Sequence, residues 1–241
     1  MTEIRTTPLG QRVSVFASSE ALVDAVLDRF MKTVAELPPG SRIVLSGGST
    51  PFPVYERVVA RGRGVNWNAY WFFTSDERSV PPDHPDSNFG RIQRIFLSPL
   101  GIREDRVIRF LGEKPPERAA EVMDRELIDL AQRVPLFDLV FLGLGEDGHT
   151  ASLFPGAAWP DFGVHYAATT VHAGGANRLT LTPLALQNAA RTWFLVTGAA
   201  KKDAVTRTIV ATEPSTLLPA TLVMGKETEW FLDQDAASGL E

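Results

Sequence analysis

Phe137-Asp138-Leu139-Val140-Phe141-Leu142-Gly143-Leu144-Gly145-Glu146-Asp147-Gly148-His149-Thr150-Ala151-Ser152-Leu153-Phe154-Pro155-Gly156 decides how this chain is read. Its first six residues are almost wholly apolar, the pattern of a strand covered on both faces. Gly143, Gly145 and Gly148 then let the backbone turn sharply and leave it bare of side chains. Into that opening the chain sets Glu146, Asp147 and His149, all able to take or give a proton. A strand buried on both faces belongs to a parallel sheet with helices above and below. In such a sheet, ligands bind beyond the carboxyl ends of the strands, where this loop falls.

The same design recurs on either side of this stretch. Arg12 to Ala17 alternates as a strand. The helix after it is capped by Ser18 or Ser19 and places Leu22, Val26, Phe30 and Val34 on one face until Pro38-Pro39-Gly40 stops it. Arg42 to Leu45 is a short strand running into Ser46-Gly47-Gly48-Ser49-Thr50-Pro51, with Pro51 suited to the first turn of a helix. Strand, Gly-Gly-Ser-Thr and helix N-terminus together form an anion site of free N–H groups and hydroxyls. The loop has neither the Gly-Lys-Ser/Thr of a Walker loop nor a G-x-G-x-x-G fingerprint.

Ala69 to Thr74 reads as an aromatic strand with Ser75-Asp76-Glu77-Arg78 at its end. A proline-rich loop follows at 80–87, long enough to serve as a partial lid, and then a helix from Ser87-Asn88 through Phe96. Val107 to Phe110 is an expected edge strand, and Pro115 to Gln132 an amphipathic helix. Beyond the central loop, strands are expected at Tyr166–Val171, Leu179–Thr182, Thr192–Val196 and Glu229–Asp233. Helices are expected from Pro183 through Ala190 and after Thr197-Gly198-Ala199-Ala200-Lys201, with a frayed tail from Ala236. The alternation predicts one doubly wound α/β domain over residues 1–241. Its mostly parallel sheet would be flanked by helices, with room for a small subdomain around 150–180.

Composition narrows the function. The chain has 241 residues, 44% hydrophobic and 22% charged, an ordinary globular balance. A net charge of −5 argues against a nucleic-acid or anionic-membrane binder, while leaving room for a local cationic pocket. There are no cysteines, so neither a thiolate nucleophile nor a Cys-based metal site is possible. The four histidines, His84, His149, His165 and His172, have no zinc-binding spacing. No run approaches the ~18 apolar residues of a membrane span, and the N-terminus lacks a signal segment, so a cytoplasmic protein is expected.

In a parallel sheet the strand ends share one edge. Gly47, Gly48, Ser49 and Thr50, Asp76 and Arg78, Asp147 and His149, Arg178 and Lys201 are therefore expected in one crevice. The cations and free N–H groups suit a phosphate. The carboxylates and His149 suit the hydroxyls and carbonyl of a sugar. The residues by themselves thus give a sugar-phosphate or similar anion site with a histidine acid/base.

Five segments carry a resemblance: Leu-Ser-Gly-Gly-Ser-Thr-Pro (45–51), Thr-Ser-Asp-Glu-Arg-Ser-Val-Pro-Pro-Asp-His-Pro-Asp-Ser-Asn (74–88), Gly-Leu-Gly-Glu-Asp-Gly-His-Thr-Ala-Ser-Leu-Phe-Pro-Gly (143–156), Arg-Leu-Thr-Leu-Thr (178–182) and Thr-Gly-Ala-Ala-Lys (197–201). Taken in order, the chain resembles the glucosamine-6-phosphate isomerase/6-phosphogluconolactonase family, and within it the lactonases. The resemblance implies a modified Rossmann-like fold and no metal or organic cofactor. It implies hydrolysis of 6-phospho-D-glucono-1,5-lactone to 6-phospho-D-gluconate in the oxidative pentose phosphate pathway. The deaminases of the family carry Asp-Glu-Tyr where this chain has Asp76-Glu77-Arg78, and a glutamate where it has Phe154.

Under that resemblance His149 activates water. An unperturbed imidazole pKa near ~6.5 suits a base at neutrality. Asp76 is expected on a substrate hydroxyl or on the water. Asp147 either orients His149 or shapes the turn. Arg78, Arg178 and Lys201 are expected on the phosphate, with the Gly47–Thr50 loop lining the same pocket. The expected partner is a small sugar-phosphate lactone, with no nucleic acid and no membrane, and the chain is expected as a monomer or homodimer.

Overall fold

In the computed structural model of the protein, residues 3–157, 164–172 and 175–240 are described. In chain order the elements are β1 (Glu3–Thr6), β2 (Arg12–Phe16), α1 (Ser19–Glu36), β3 (Arg42–Leu45), α2 (Pro51–Arg61), β4 (Trp71–Thr74), β5 (Asp76–Arg78) and α3 (Asn88–Ile92). They continue with β6 (Val107–Ile108), α4 (Pro116–Leu130), β7 (Phe137–Leu142), β8 (Ala167–Val171), β9 (Asn177–Leu181), α5 (Pro183–Leu186), β10 (Ala189–Val196), α6 (Lys202–Ile209), β11 (Glu227–Asp233) and α7 (Gln234–Ala237).

The main sheet runs β1-β2-β11-β10-β7-β3-β4-β6, parallel throughout except for β1, which pairs antiparallel with β2. Every residue of β7 is buried. Val140 and Leu142 face one apolar cluster with Met123 and Leu127 of α4 and Val205 of α6. Leu139 and Phe141 face the other, with Phe30 of α1 and Tyr55 of α2. Burying such a side chain contributes about 1.5–3 kcal/mol, which is why a run with no polar face settles at the centre of a sheet. The α/β, mostly parallel architecture is the expected one. From β3 the chain steps outward through β4 to β6, and from β7 it steps the other way through β10 to β11. The order therefore reverses between the neighbours β3 and β7, which opens a crevice at their carboxyl ends.

Several local expectations need correction. Asp76-Glu77-Arg78 is a strand, not a loop. It pairs antiparallel with β9, and β9 with β8, in a separate three-stranded sheet. Leu179 to Thr182 therefore does not extend the parallel sheet, and Arg178 sits on an antiparallel strand rather than at a parallel strand's end. This small sheet is what the subdomain expected at 150–180 becomes, apart from residues 158–163 and 173–174, which lie outside the described residues. The helix at Pro183 stops at Leu186, and the chain is in β10 by Ala189. The helix from Asn88 passes into a π turn at Gln93–Leu97. The tail is not frayed from Ala236: Asp233 caps α7 by accepting from the Ala236 N–H (2.9 Å), and Ala236 and Ala237 are buried; residue 241 is outside the described residues. The antiparallel edge strand β1 had no expectation at all.

Candidate active site

The loop after β3 is the first wall of the crevice. Tyr55 of α2 holds its root, donating from its hydroxyl to the Ser46 carbonyl (3.2 Å) and accepting from the Ser46 N–H (3.1 Å). Among the described residues, no hydrogen bond is made by the backbone N–H of Gly47, Gly48, Ser49 or Thr50. They lie at the N-terminus of α2, where Pro51 needs no donor, an arrangement chemically able to take an anion. Gly47 is required for a specific reason: a Cβ there would overlap the Asn88 side chain, which donates from Nδ2 to the Asp76 carbonyl (3.3 Å). Thr50 does not cap its helix with its side chain. Its hydroxyl meets that of Thr197 (2.9 Å) and joins the loop after β3 to the one after β10.

The loop after β7 brings Asp147 and His149 together. Gly148 takes a left-handed turn (φ 97°), and the Gly145 N–H donates to the His149 carbonyl (2.7 Å) to close the turn. Gly145 must lack a Cβ, since one would overlap both the His149 ring and the Asp147 carboxylate. Asp147 Oδ1 lies 2.6 Å from His149 Nδ1 and also accepts from the His149 N–H (3.0 Å). An ionised carboxylate only accepts, so Nδ1 carries the proton and Nε2 is left as the basic nitrogen of the ring that lines the cleft. Burial pushes the Asp147 carboxyl up, but the His149 N–H, the imidazole's charge and the side-chain hydrogen bond outweigh it and hold Asp147 below the usual carboxylate range. Of the two roles left open for Asp147, orienting His149 is the one its contacts match, and it shapes the turn as well. Phe154, buried, packs its ring on the imidazole with centroids 5.0 Å apart.

Asp76 and Arg78 line the cleft from β5. Asp76 is held on both oxygens, accepting from Ser75 Oγ (2.7 Å) and Ser152 Oγ (2.8 Å). Lys201 lines it from the turn after β10, whose Gly198 N–H is gripped by both Asp233 oxygens (3.0 and 3.1 Å). Arg178 is the exception. It lies directly opposite Arg78 on the β5–β9 ladder but is not among the residues that line the cleft itself. Burial, the Arg78 charge beside it, and the counter-pull of Asp76, Asp86 and Glu77 leave the Arg178 guanidinium below its ordinary value. Arg78 and Arg178 are thus cross-strand neighbours of like charge, a repulsion that a nearby anion would relieve.

Four contributors escaped sequence reasoning: Asn88, Thr150, Ser152 and Glu77. Asn88 and Thr150 line the cleft, and Thr150 Oγ1 donates to the Gly143 carbonyl (2.8 Å). Ser152 reaches Asp76 only through the fold. Glu77 turns to the face opposite Asp76 and Arg78 because β5 is a strand, which no local pattern announces. Among the described residues no group of three or more His, Cys, Asp or Glu side chains is arranged to hold a metal ion.

With this geometry in place, comparison with known proteins is direct. The family model for glucosamine-6-phosphate isomerases/6-phosphogluconolactonase matches residues 17–232. The chain belongs to this family. It is 34% identical to a 6-phosphogluconolactonase from Synechocystis over 96% of this chain and 99% of that protein. It is 35% identical to the human 6-phosphogluconolactonase over 93% and 92% respectively. A crystal structure of the Thermotoga maritima 6-phosphogluconolactonase superposes with a TM-score of 0.78 at 32% identity, covering 92% of this chain and 98% of that one. A monomeric glucosamine-6-phosphate deaminase superposes equally well (TM-score 0.81) at 18% identity, a likeness of fold alone. Within the family, then, the backbone does not separate lactonase from deaminase, and the side chains of the cleft must. No described helix is long and apolar enough to cross a membrane.

Proposed function

We propose that the chain hydrolyses 6-phospho-D-glucono-1,5-lactone to 6-phospho-D-gluconate, with His149 as general base. The observation that carries this is an imidazole whose Nδ1 is tied to Asp147, in the same cleft as Arg78, Lys201 and the open Gly47–Thr50 amides. A lactone is an activated ester, so a positioned water suffices and no covalent nucleophile is needed. His149 Nε2 takes a proton from that water as its oxygen adds to C1. The tetrahedral intermediate expels the ring oxygen, breaking the C1–O bond, and the imidazolium returns the proton to that oxygen to give the free hydroxyl. The new carboxylic acid then ionises to solvent. General acid–base assistance of this kind contributes about 10²–10⁴-fold.

Asp76, pinned by Ser75 and Ser152, is assigned to a substrate hydroxyl or the attacking water. Arg78, Arg178 and Lys201 are assigned to the phosphate, together with the free amides of the α2 N-terminus. The pathway implied is the oxidative pentose phosphate pathway, with a cytoplasmic location and a monomer or homodimer.

The rival within the family is a glucosamine-6-phosphate deaminase. Phe154 favours the lactonase: its ring packs against His149, tilted by 51°, where the deaminase pattern needs a proton-carrying glutamate, and a phenyl ring transfers no proton. Assaying the purified chain on both compounds decides between them. Lactone opening faster than the spontaneous reaction, without ammonia from glucosamine 6-phosphate, is expected. The reverse pattern rejects the proposal.

A further inference from the structure

Glu77 takes no part in the chemistry assigned above, yet it is the most deeply buried charged side chain among the described residues, 2% exposed. Its carboxylate accepts four hydrogen bonds. Oε1 takes the N–H groups of Arg78 (2.7 Å) and Asn88 (2.8 Å), and Oε2 takes the Phe89 N–H (2.8 Å) and Ser87 Oγ (3.0 Å). Burial raises the pKa of this carboxyl above the usual range, and the four donors pull against that rise. A carboxylate in such a place is strongly destabilising unless its acceptor sites are filled, and here each oxygen is used twice.

The donors come from two segments, and each brings a residue to the cleft: Arg78 from β5 and Asn88 from the start of α3. The connecting loop 79–87 is drawn in at both ends. Arg78 Nη1 donates to the Asp86 carbonyl (2.7 Å), and the Pro82 carbonyl lies so close to Gly90 that a Cβ there would collide with it. The loop expected to act as a partial lid is thus cinched at its root.

We infer that Glu77 is a positioning residue that fixes Arg78 and Asn88 relative to one another, so that the guanidinium meets the substrate's phosphate without reorganisation. The inference rests on the lactonase reading and on Arg78 serving the phosphate. Glu77→Gln keeps the shape but puts an NH₂ where one oxygen accepted, facing donors.

The test compares Glu77→Gln with the unaltered chain, alone and in an Arg78→Lys background, on freshly generated 6-phosphogluconolactone. KM is expected to rise about tenfold with kcat within about threefold and its pH profile unmoved, the signature of lost binding rather than lost chemistry. On Arg78→Lys the same change is expected to add less than about twofold, because the two act as one unit. An unchanged KM, a loss confined to kcat, or effects that multiply independently overturn the inference. Should Glu77→Gln not fold, Ser87→Ala removes one donor and is expected to raise KM about threefold, and an unchanged KM overturns it equally. If the unaltered chain fails to accelerate lactone opening, it is the lactonase reading that falls. Amide exchange of Arg78, Asn88 and Phe89 then decides for Glu77: faster exchange in the variant upholds the clamp and unchanged exchange rejects it.

Discussion

Among the described residues, two histidine–aspartate pairs have nearly the same geometry. His149 Nδ1 meets Asp147 at 2.6 Å, and His165 Nδ1 meets Asp124 at 2.8 Å. Their settings are opposite. The Asp147 side chain is half exposed and its carboxylate accepts from the ring and backbone N–H of His149, while Asp124 is buried and accepts from the Tyr166 (2.6 Å) and Ala167 (3.3 Å) N–H groups as well. The first pair sits on a glycine turn at a strand's carboxyl end and aims a ring into a cleft. The second fastens α4 to the approach and first residue of β8. The lesson is that a His–Asp contact is not in itself a catalytic feature. What surrounds the ring makes the difference: His149 lines the cleft, and His165 does not.

The largest expected effect tests the first pair. His149→Ala is expected to reduce kcat for lactone hydrolysis by about 10²–10⁴-fold with the far-ultraviolet circular dichroism unchanged. Near-normal turnover would erase the distinction between the pairs. Asp147→Asn comes next, at about 10–10²-fold in kcat, because an amide can hold the wrong tautomer of the imidazole. Asp147 also carries a pH signature. Its folded pKa lies below its unfolded value, so its contribution to stability is fully present above the ordinary carboxylate range. That contribution is lost as pH falls through the depressed folded value. An acid melt in which wild type and Asp147→Asn diverge only above that window is the expected outcome.

Arg178→Ala sharpens the comparison from the binding side. It is expected to raise KM about tenfold while leaving kcat nearly intact, measured by initial rates, since a phosphate contact made equally in ground and transition states shows in KM. Asp124→Ala belongs to the second pair and acts on stability instead. Losing an acceptor for buried N–H groups costs about 1–3 kcal/mol, read as a lower denaturant midpoint with per-molecule activity of the folded chain retained. His165→Ala is the smallest, within about 1 kcal/mol and without effect on kcat, because its ring is half exposed and screened.

The contrast also shows which parts of the molecule the sequence exposes. The parallel core was legible because β7 has no polar face and α1 repeats apolar residues at helical spacing. The cleft loops were legible because glycine, proline and polar residues cluster after strands. The small sheet was not: Asp76-Glu77-Arg78 has little intrinsic preference for a strand and becomes one only by pairing with residues 178–180, about a hundred positions later. For the same reason Arg178 looked like a loop residue and turned out to be Arg78's cross-strand neighbour. Thr50 with Thr197, Ser152 with Asp76 and Asp124 with the Tyr166 backbone are contacts between distant segments, and no local pattern encodes them.

The central claim, that the His149 imidazole draws a proton from water in this cleft, is tested most directly by the pH dependence of kcat/KM. The measurement follows freshly generated 6-phosphogluconolactone, with spontaneous opening subtracted. The account predicts an enzymatic rate that falls as acid protonates the imidazole, with both the acceleration and that acid limb gone in His149→Ala. An acid limb that persists unchanged in His149→Ala, or an intact chain no faster than the uncatalysed opening, would contradict it.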